Sequence, residues 1–163
     1  NNNRISTDAL MRSRLKNASL PIDATSVLYF AANYYDDRGK AAGIMNVRFY
    51  PDLTPTQADA RSFGQSDIRE LDSELREIMI KSGQASGFSV LAWHGTKKQV
   101  VNGVTTFITE YKRSPIKNNG NFVVRLVRII NASKSFTLTL SYRENQEHQL
   151  RPVCDRIISS IRI

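Results

Sequence analysis

Cysteine is nearly absent from this sequence. A single Cys among 163 residues excludes an internal disulfide. One Cys with two His is also too few for a closed Cys/His zinc site. Long apolar runs are missing as well. The stretches at 26–32 and 122–130 are strand-length, far short of the ~18 residues of a membrane-spanning helix. No internal repeat or low-complexity segment occurs, and 40% hydrophobic with 23% charged residues excludes a disordered or fibrous chain. Acidic charge is in short supply: 23 Lys+Arg against 15 Asp+Glu leave a net charge of +8.

That excess is local. Residues 1–87 balance 11 basic with 11 acidic side chains, and residues 144–163 balance three with three. The whole surplus therefore lies in 88–143, where nine basic residues meet one acid, Glu110.

The N-terminal 1–23 read as a short surface helix over 5–15 and a linker punctuated by Pro21. The polar start Asn1-Asn2-Asn3, without Met, reads as a processed or trimmed chain, with export to the periplasm or medium favoured and a cytoplasmic location as the alternative. Residues 25–35 and 43–50 are rich in aromatic and β-branched side chains and flank Asp36-Asp37-Arg38-Gly39-Lys40, whose Asp and Gly favour a tight turn. Thr54-Pro55-Thr56-Gln57 reads as a helix start with Thr54 as cap, Pro55 in the first helical position and Gln57 completing a capping box. Ile68, Leu71, Leu75, Ile78 and Met79 then mark one helix face, and Gly83 is the expected stop.

From 88 onward the pattern is a meander. A strand over 88–94 bends at Gly95 and resumes at 99–101, and Asn102-Gly103 supplies the two positive-φ positions of a two-residue hairpin turn. Strands follow over 104–113, 122–130 and 136–142, the last with strict alternation of apolar and polar residues. The chain closes in a helix with Leu150, Val153, Cys154, Ile157, Ile158 and Ile161 as a wide apolar stripe and Pro152 expected in its first turn.

The resulting order is α-β-β-α-β-β-β-β-α. Hairpin connections make the sheet antiparallel, with about six strands, and the two long amphipathic helices require its faces for burial. The expectation is an α+β sandwich in which helices cover the sheet, with 24–163 as a single domain. A cone-shaped, cystatin-like α+β sheet is the alternative.

The opening hairpin, the capped helix after Tyr50-Pro51 and the Val101-Asn102-Gly103 turn resemble the PsbP-like family. So do the 136–142 strand and the closing Leu150-Arg151-Pro152…Ile157…Ser160-Ile161 helix. That family includes the extrinsic photosystem II protein, a Ran-binding nuclear-transport relative and many bacterial proteins of unassigned role. The resemblance spans roughly 24–163 and implies a noncatalytic module that binds a protein partner. It does not imply photosynthesis.

No catalytic constellation stands out. His94 has no local carboxylate or hydroxyl partner to make it a general base, and His148 lies on a polar approach. Cys154 falls within an apolar stripe, where a thiol behaves as a small hydrophobe. Asp36-Asp37 lacks the alternating oxygen ligands and distal Glu of a calcium loop. Neither a phosphate-cradling glycine loop nor a nucleophile elbow is present. The reading is accordingly a non-enzyme with no metal and no cofactor.

The feature above background is the basic segment. Lys112, Arg113 and Lys117 share a strand end and loop, and Lys97 and Lys98 belong to the neighbouring bend. Arg125 and Arg128 have opposite parity and point to different faces of one strand, with Glu110 as a candidate ion-pair partner. If these residues converge, they form a patch that attracts an acidic partner protein. Binding of nucleic acid or an anionic membrane through the same charges is the first alternative, although no RNA-binding aromatic motif or recognition helix accompanies them. The second alternative is a small-ligand carrier or enzyme with a cavity between sheet and helix.

Overall fold

The computed structural model describes residues 26–51, 55–116, 120–132 and 134–163. The expected N-terminal helix and linker, Thr54 and Lys117 lie outside the described residues.

β1 (Val27–Tyr35) and β2 (Ala41–Tyr50) form the opening antiparallel hairpin. Its turn works as its chemistry predicts: the Asp36 carboxylate accepts the backbone N–H groups of Arg38 at 3.0 Å and Lys40 at 2.8 Å. The next helix departs from expectation in two ways. α1 (Gln57–Ser62) is capped by Thr56, whose Oγ1 accepts the Asp59 N–H at 3.3 Å while Asp59 Oδ2 accepts the Thr56 N–H at 2.6 Å. Pro55 is thus outside the helix, and Asp59 rather than Gln57 completes the box. Gln57 instead ties α1 to the sheet, donating to the Thr105 and Ile130 carbonyls and accepting from the Thr105 N–H. Thr56→Ala should cost about 1 kcal/mol in urea unfolding, the usual worth of such a cap.

A break at Phe63-Gly64 separates α1 from α2 (Gln65–Ser86), so the expected single helix is two. The Asp67 carboxylate accepts the Gly64 N–H at 2.7 Å and starts the second. Gly83 is not its stop. The helix runs on to Gly87, in the left-handed region at φ +78°, whose N–H closes on the Gly83 carbonyl at 2.8 Å.

β3 (Val90–Val101) and β4 (Val104–Arg113) meet across Asn102-Gly103, both at positive φ as the turn type requires. Gly95 marks a bulge within one continuous β3 rather than a bend that ends it. β5 (Phe122–Ile129) and β6 (Ser135–Arg143) complete an antiparallel sheet in the order β1-β2-β6-β5-β4-β3. A single 3₁₀ turn leads into α3 (Glu147–Ser159). That helix starts earlier than its apolar stripe suggested, which places Pro152 in its interior rather than its first turn. The His148 carbonyl consequently has no N–H four residues on.

β5 is central, and its alternation feeds two cores. Phe122, Val124 and Leu126 pack with Tyr50, Tyr111 and Met79 under α2. Val123, Val127 and Ile129 pack with Leu138, Leu140 and Tyr142 under Leu150, Cys154, Ile158 and Ile161 of α3. Helices thus cover both faces, the layered α+β arrangement rather than the cone-shaped alternative. No described helix is long and apolar enough to cross a membrane.

Candidate functional site

The structure divides the predicted basic residues between both faces of the sheet. Lys98 sits within β3, not at a bend, and its Nζ donates to the Arg61 carbonyl at 2.9 Å and the Phe63 carbonyl at 2.6 Å. It thereby satisfies the open end of α1. Arg113 is sandwiched between the Phe88 and Phe122 rings, 5.1 and 4.9 Å from their centroids, and burial pushes its pKa down. Arg128 is likewise lowered by burial, with Glu74 favouring its charged form. These three lie on the α2 side, where Arg128 follows the parity of Phe122, Val124 and Leu126.

On the opposite face, Arg125 is 11% exposed and stands 3.4 Å by its Nε from Glu110 Oε2, while its other end pairs with Asp155 of α3. Arg151 of α3 makes a two-point contact with the same Glu110, at 3.0 and 3.1 Å, and a second bond to Glu147 at 2.7 Å. The hydrogen bonds that Arg151 donates to Glu110 hold its pKa above the ordinary value. Lys112 Nζ meets Glu144 at 2.7 Å, so that the lysine pKa rises and the carboxyl pKa falls. Only Lys97, exposed in mid-β3, shows no partner among the described candidates. Five of the six are therefore committed to internal contacts, and they do not assemble into one patch. Of the sequence expectations, the Arg125–Glu110 pairing is the part that the geometry brings together.

What the geometry does build is an apolar groove. α3 packs in one cluster with residues of β6, β5 and β4, and Met45 and Val47 of β2 lie against the same cluster. Between the flank of α3 and β1–β2 runs a cavity of about 490 Å³. Leu150, Val153, Cys154 and Ile157 form the helix wall, and Ala32, Tyr34, Gly43 and Met45 line the strand side. Gly43 keeps the floor low: a Cβ there would come within 3.3 Å of the Ser141 carbonyl, 3.5 Å of Leu150 and 3.6 Å of Tyr34. Tyr34, Tyr35 and Val153 at the rim are 48%, 56% and 37% exposed.

Asn33, Ser141, Tyr142 and Cys154 also line the groove, beside the tyrosines of its rim. Burial pushes the Cys154 thiol up, and pushes the Tyr142 hydroxyl up to about 12. Tyr142 Oη and Gln146 Oε1 are buried without a hydrogen-bond partner among the described residues. The described residues hold no cluster of three His, Cys, Asp or Glu able to bind a metal.

Sequence reasoning offered a cavity between sheet and helix as its second alternative but named none of these residues, although three local signals mark the groove. The nine residues of β1 carry no charge, Gly43 interrupts an otherwise well-filled strand, and Val153 widens the α3 stripe beyond one sheet contact.

No protein-family model matches the chain, and no curated protein sequence does. Among solved structures, PA94 of Pseudomonas aeruginosa, a protein of unknown function, is similar at a TM-score of 0.49 and 11% identity. The match covers 86% of this chain and 98% of that one. Cyanobacterial PsbP (CyanoP) from Synechocystis sp. PCC 6803 is similar at a TM-score of 0.54 and 13% identity, covering 86% of this chain and 82% of that one. The sequence of elements and the two-faced sheet therefore give this chain a PsbP-like fold.

Proposed function

We propose that this protein is a noncatalytic module that binds a partner polypeptide in the groove between α3 and β1–β2. The observation that carries the reading is the groove itself: apolar walls, a floor kept open by Gly43, and exposed tyrosines at the rim. Exposed aromatic side chains beside an apolar cleft are the usual composition of a polypeptide-binding surface. Burial pushes both the Cys154 thiol and the Tyr142 hydroxyl up, the opposite of the lowering that activates a nucleophile, which supports a binding rather than a catalytic role. The basic residues are left with an internal task in this reading, and the partner's contact chemistry is apolar rather than acidic.

Photo-crosslinking in the native host tests it. A photoreactive side chain at Val153 or Tyr34 should capture a polypeptide, while one at exposed Ile80 on α2 should not. Val153→Glu should abolish capture from Tyr34 without unfolding the protein, because Val153 is already 37% exposed. Equal capture from Ile80, or capture indifferent to Val153→Glu, would count against the groove.

The groove's size favours one second reading. At about 490 Å³ it falls among small-molecule sites, so an apolar ligand carrier is the competing function. A small apolar molecule co-purifying with the protein in native mass spectrometry, and absent from Val153→Glu, would select it.

A further inference from the structure

Asn102 serves two structures at once. Its backbone takes φ +49° in the β3–β4 turn, a conformation that asparagine tolerates better than most residues. Its side chain leaves the hairpin altogether. Nδ2 donates to the Ser159 carbonyl at 2.7 Å and to the Ile161 carbonyl at 3.0 Å. Carbonyls at a helix C-terminus have no partner within the helix. Asn102 therefore caps the end of α3 from 57 residues earlier in the chain, and both hydrogens of its amide are used. The residue after it is Gly103, so no Cβ shields the next main-chain nitrogen. In such a pair that nitrogen can attack the asparagine side chain. The Gly103 N–Cγ bond forms, the Cγ–Nδ2 bond breaks, and ammonia leaves with the proton from Gly103 N. Water then opens the cyclic imide, at the side-chain carbonyl to give aspartate or at the main-chain carbonyl to give isoaspartate.

We infer that Asn102-Gly103 is a deamidation site held closed by α3, and that its conversion releases the end of that helix. While Nδ2 is bonded to both carbonyls, the amide is directed at α3 rather than at its own chain, so reaction waits on local opening. Neither product rebuilds the cap. A carboxylate has no hydrogen to donate, and it faces two carbonyl oxygens at the negative end of the helix dipole. Isoaspartate also lengthens the main chain of a two-residue turn. Arg162, whose guanidinium reaches the Ile161 carbonyl at 3.4 Å, offsets part of the new charge but replaces neither bond. Ile161, 8% exposed in the core under α3, is the side chain that seats this end.

Peptide mapping by mass spectrometry tests the guard, on the full chain held at mildly alkaline pH either folded or in guanidinium chloride. The other Asn-Gly pair, Asn119-Gly120, calibrates the rate in denaturant. Asn102 should deamidate at least about tenfold more slowly in the folded protein than in denaturant. Ile161→Val, which thins the seat of the α3 end, should speed the folded-state reaction several-fold. Asn102→Asp, at an exposed position, should speed amide hydrogen exchange at 158–161 and leave the α2 amides unchanged. Equal rates in the folded and unfolded chain overturn the inference. So does a folded-state rate indifferent to Ile161→Val, or exchange at 158–161 that Asn102→Asp does not alter. Every readout is taken on the isolated protein, so the result is independent of capture in the groove.

Discussion

Glu110→Ala should lower the free energy of unfolding by about 3 kcal/mol in urea denaturation, the cost of leaving a buried charge without its partner. Glu110 is 21% exposed and serves two arginines at once. Arg125, opposite it on β5, is 11% exposed and would keep only Asp155 at the rim of α3. Arg151 would lose both bonds that join α3 to β4 and keep only Glu147 on its own helix. The loss is asymmetric, because the charges remain after their compensation has gone. For the same reason Glu110→Leu combined with Arg125→Met should cost far less than the sum of the single changes. An Ala variant within about 0.5 kcal/mol of wild type would mean that water replaces the carboxylate and that the network contributes little. The same contact bears on the proposed groove, since α3 supplies one of its walls. Glu110→Ala should weaken crosslinking from Tyr34 although residue 110 does not line the cavity.

The parts of this molecule legible in its sequence are those decided within a few residues. The Asp36 turn and the Asn102-Gly103 hairpin follow from side-chain oxygens and positive φ at fixed positions. Parity alone separated Arg125 from Arg128 and offered Glu110 as a partner, because strand alternation is strict. The partners of the basic residues were not legible, for the opposite reason. Whether Lys98 is free depends on the end of α1, 35 residues away in sequence, and whether Lys112 is free depends on Glu144 beyond β6. Charge counting sees the surplus and not the partners. The helix cap slipped by two residues because Thr54 and Thr56 carry the same chemistry, and only the docking of Gln57 on Thr105 and Ile130 decides between them. The groove is the least legible feature. It depends on where α3 lies over the sheet, a placement to which the Arg151–Glu110 contact contributes and which the local signals at β1, Gly43 and Val153 do not set.

Gly83→Ala should destabilise the protein by about 2 kcal/mol, against what helix propensity predicts. Within a helix, alanine is favoured over glycine by about 1 kcal/mol, and Gly83 lies inside α2 with a helical backbone. The opposing effect is a close approach. A Cβ at position 83 would stand 2.5 Å from the Phe88 carbonyl oxygen, with the Phe88 ring at 3.1 Å as the next obstacle. That oxygen belongs to the chain that turns back immediately after the helix, where Gly87 and Phe88 both donate their N–H groups to the Gly83 carbonyl. The turn cannot retreat without giving up those bonds and disturbing Phe88, which packs on Arg113. Steric cost therefore exceeds the propensity gain. Two controls separate the terms. Ser73→Ala, on the exposed side of the same helix, should be neutral or slightly stabilising, showing that α2 itself accepts alanine. Adding Phe88→Ala to Gly83→Ala should not restore stability, because the nearest obstacle is backbone and not the ring. A stabilised Gly83→Ala would instead show that the turn shifts freely and that propensity governs this end of α2.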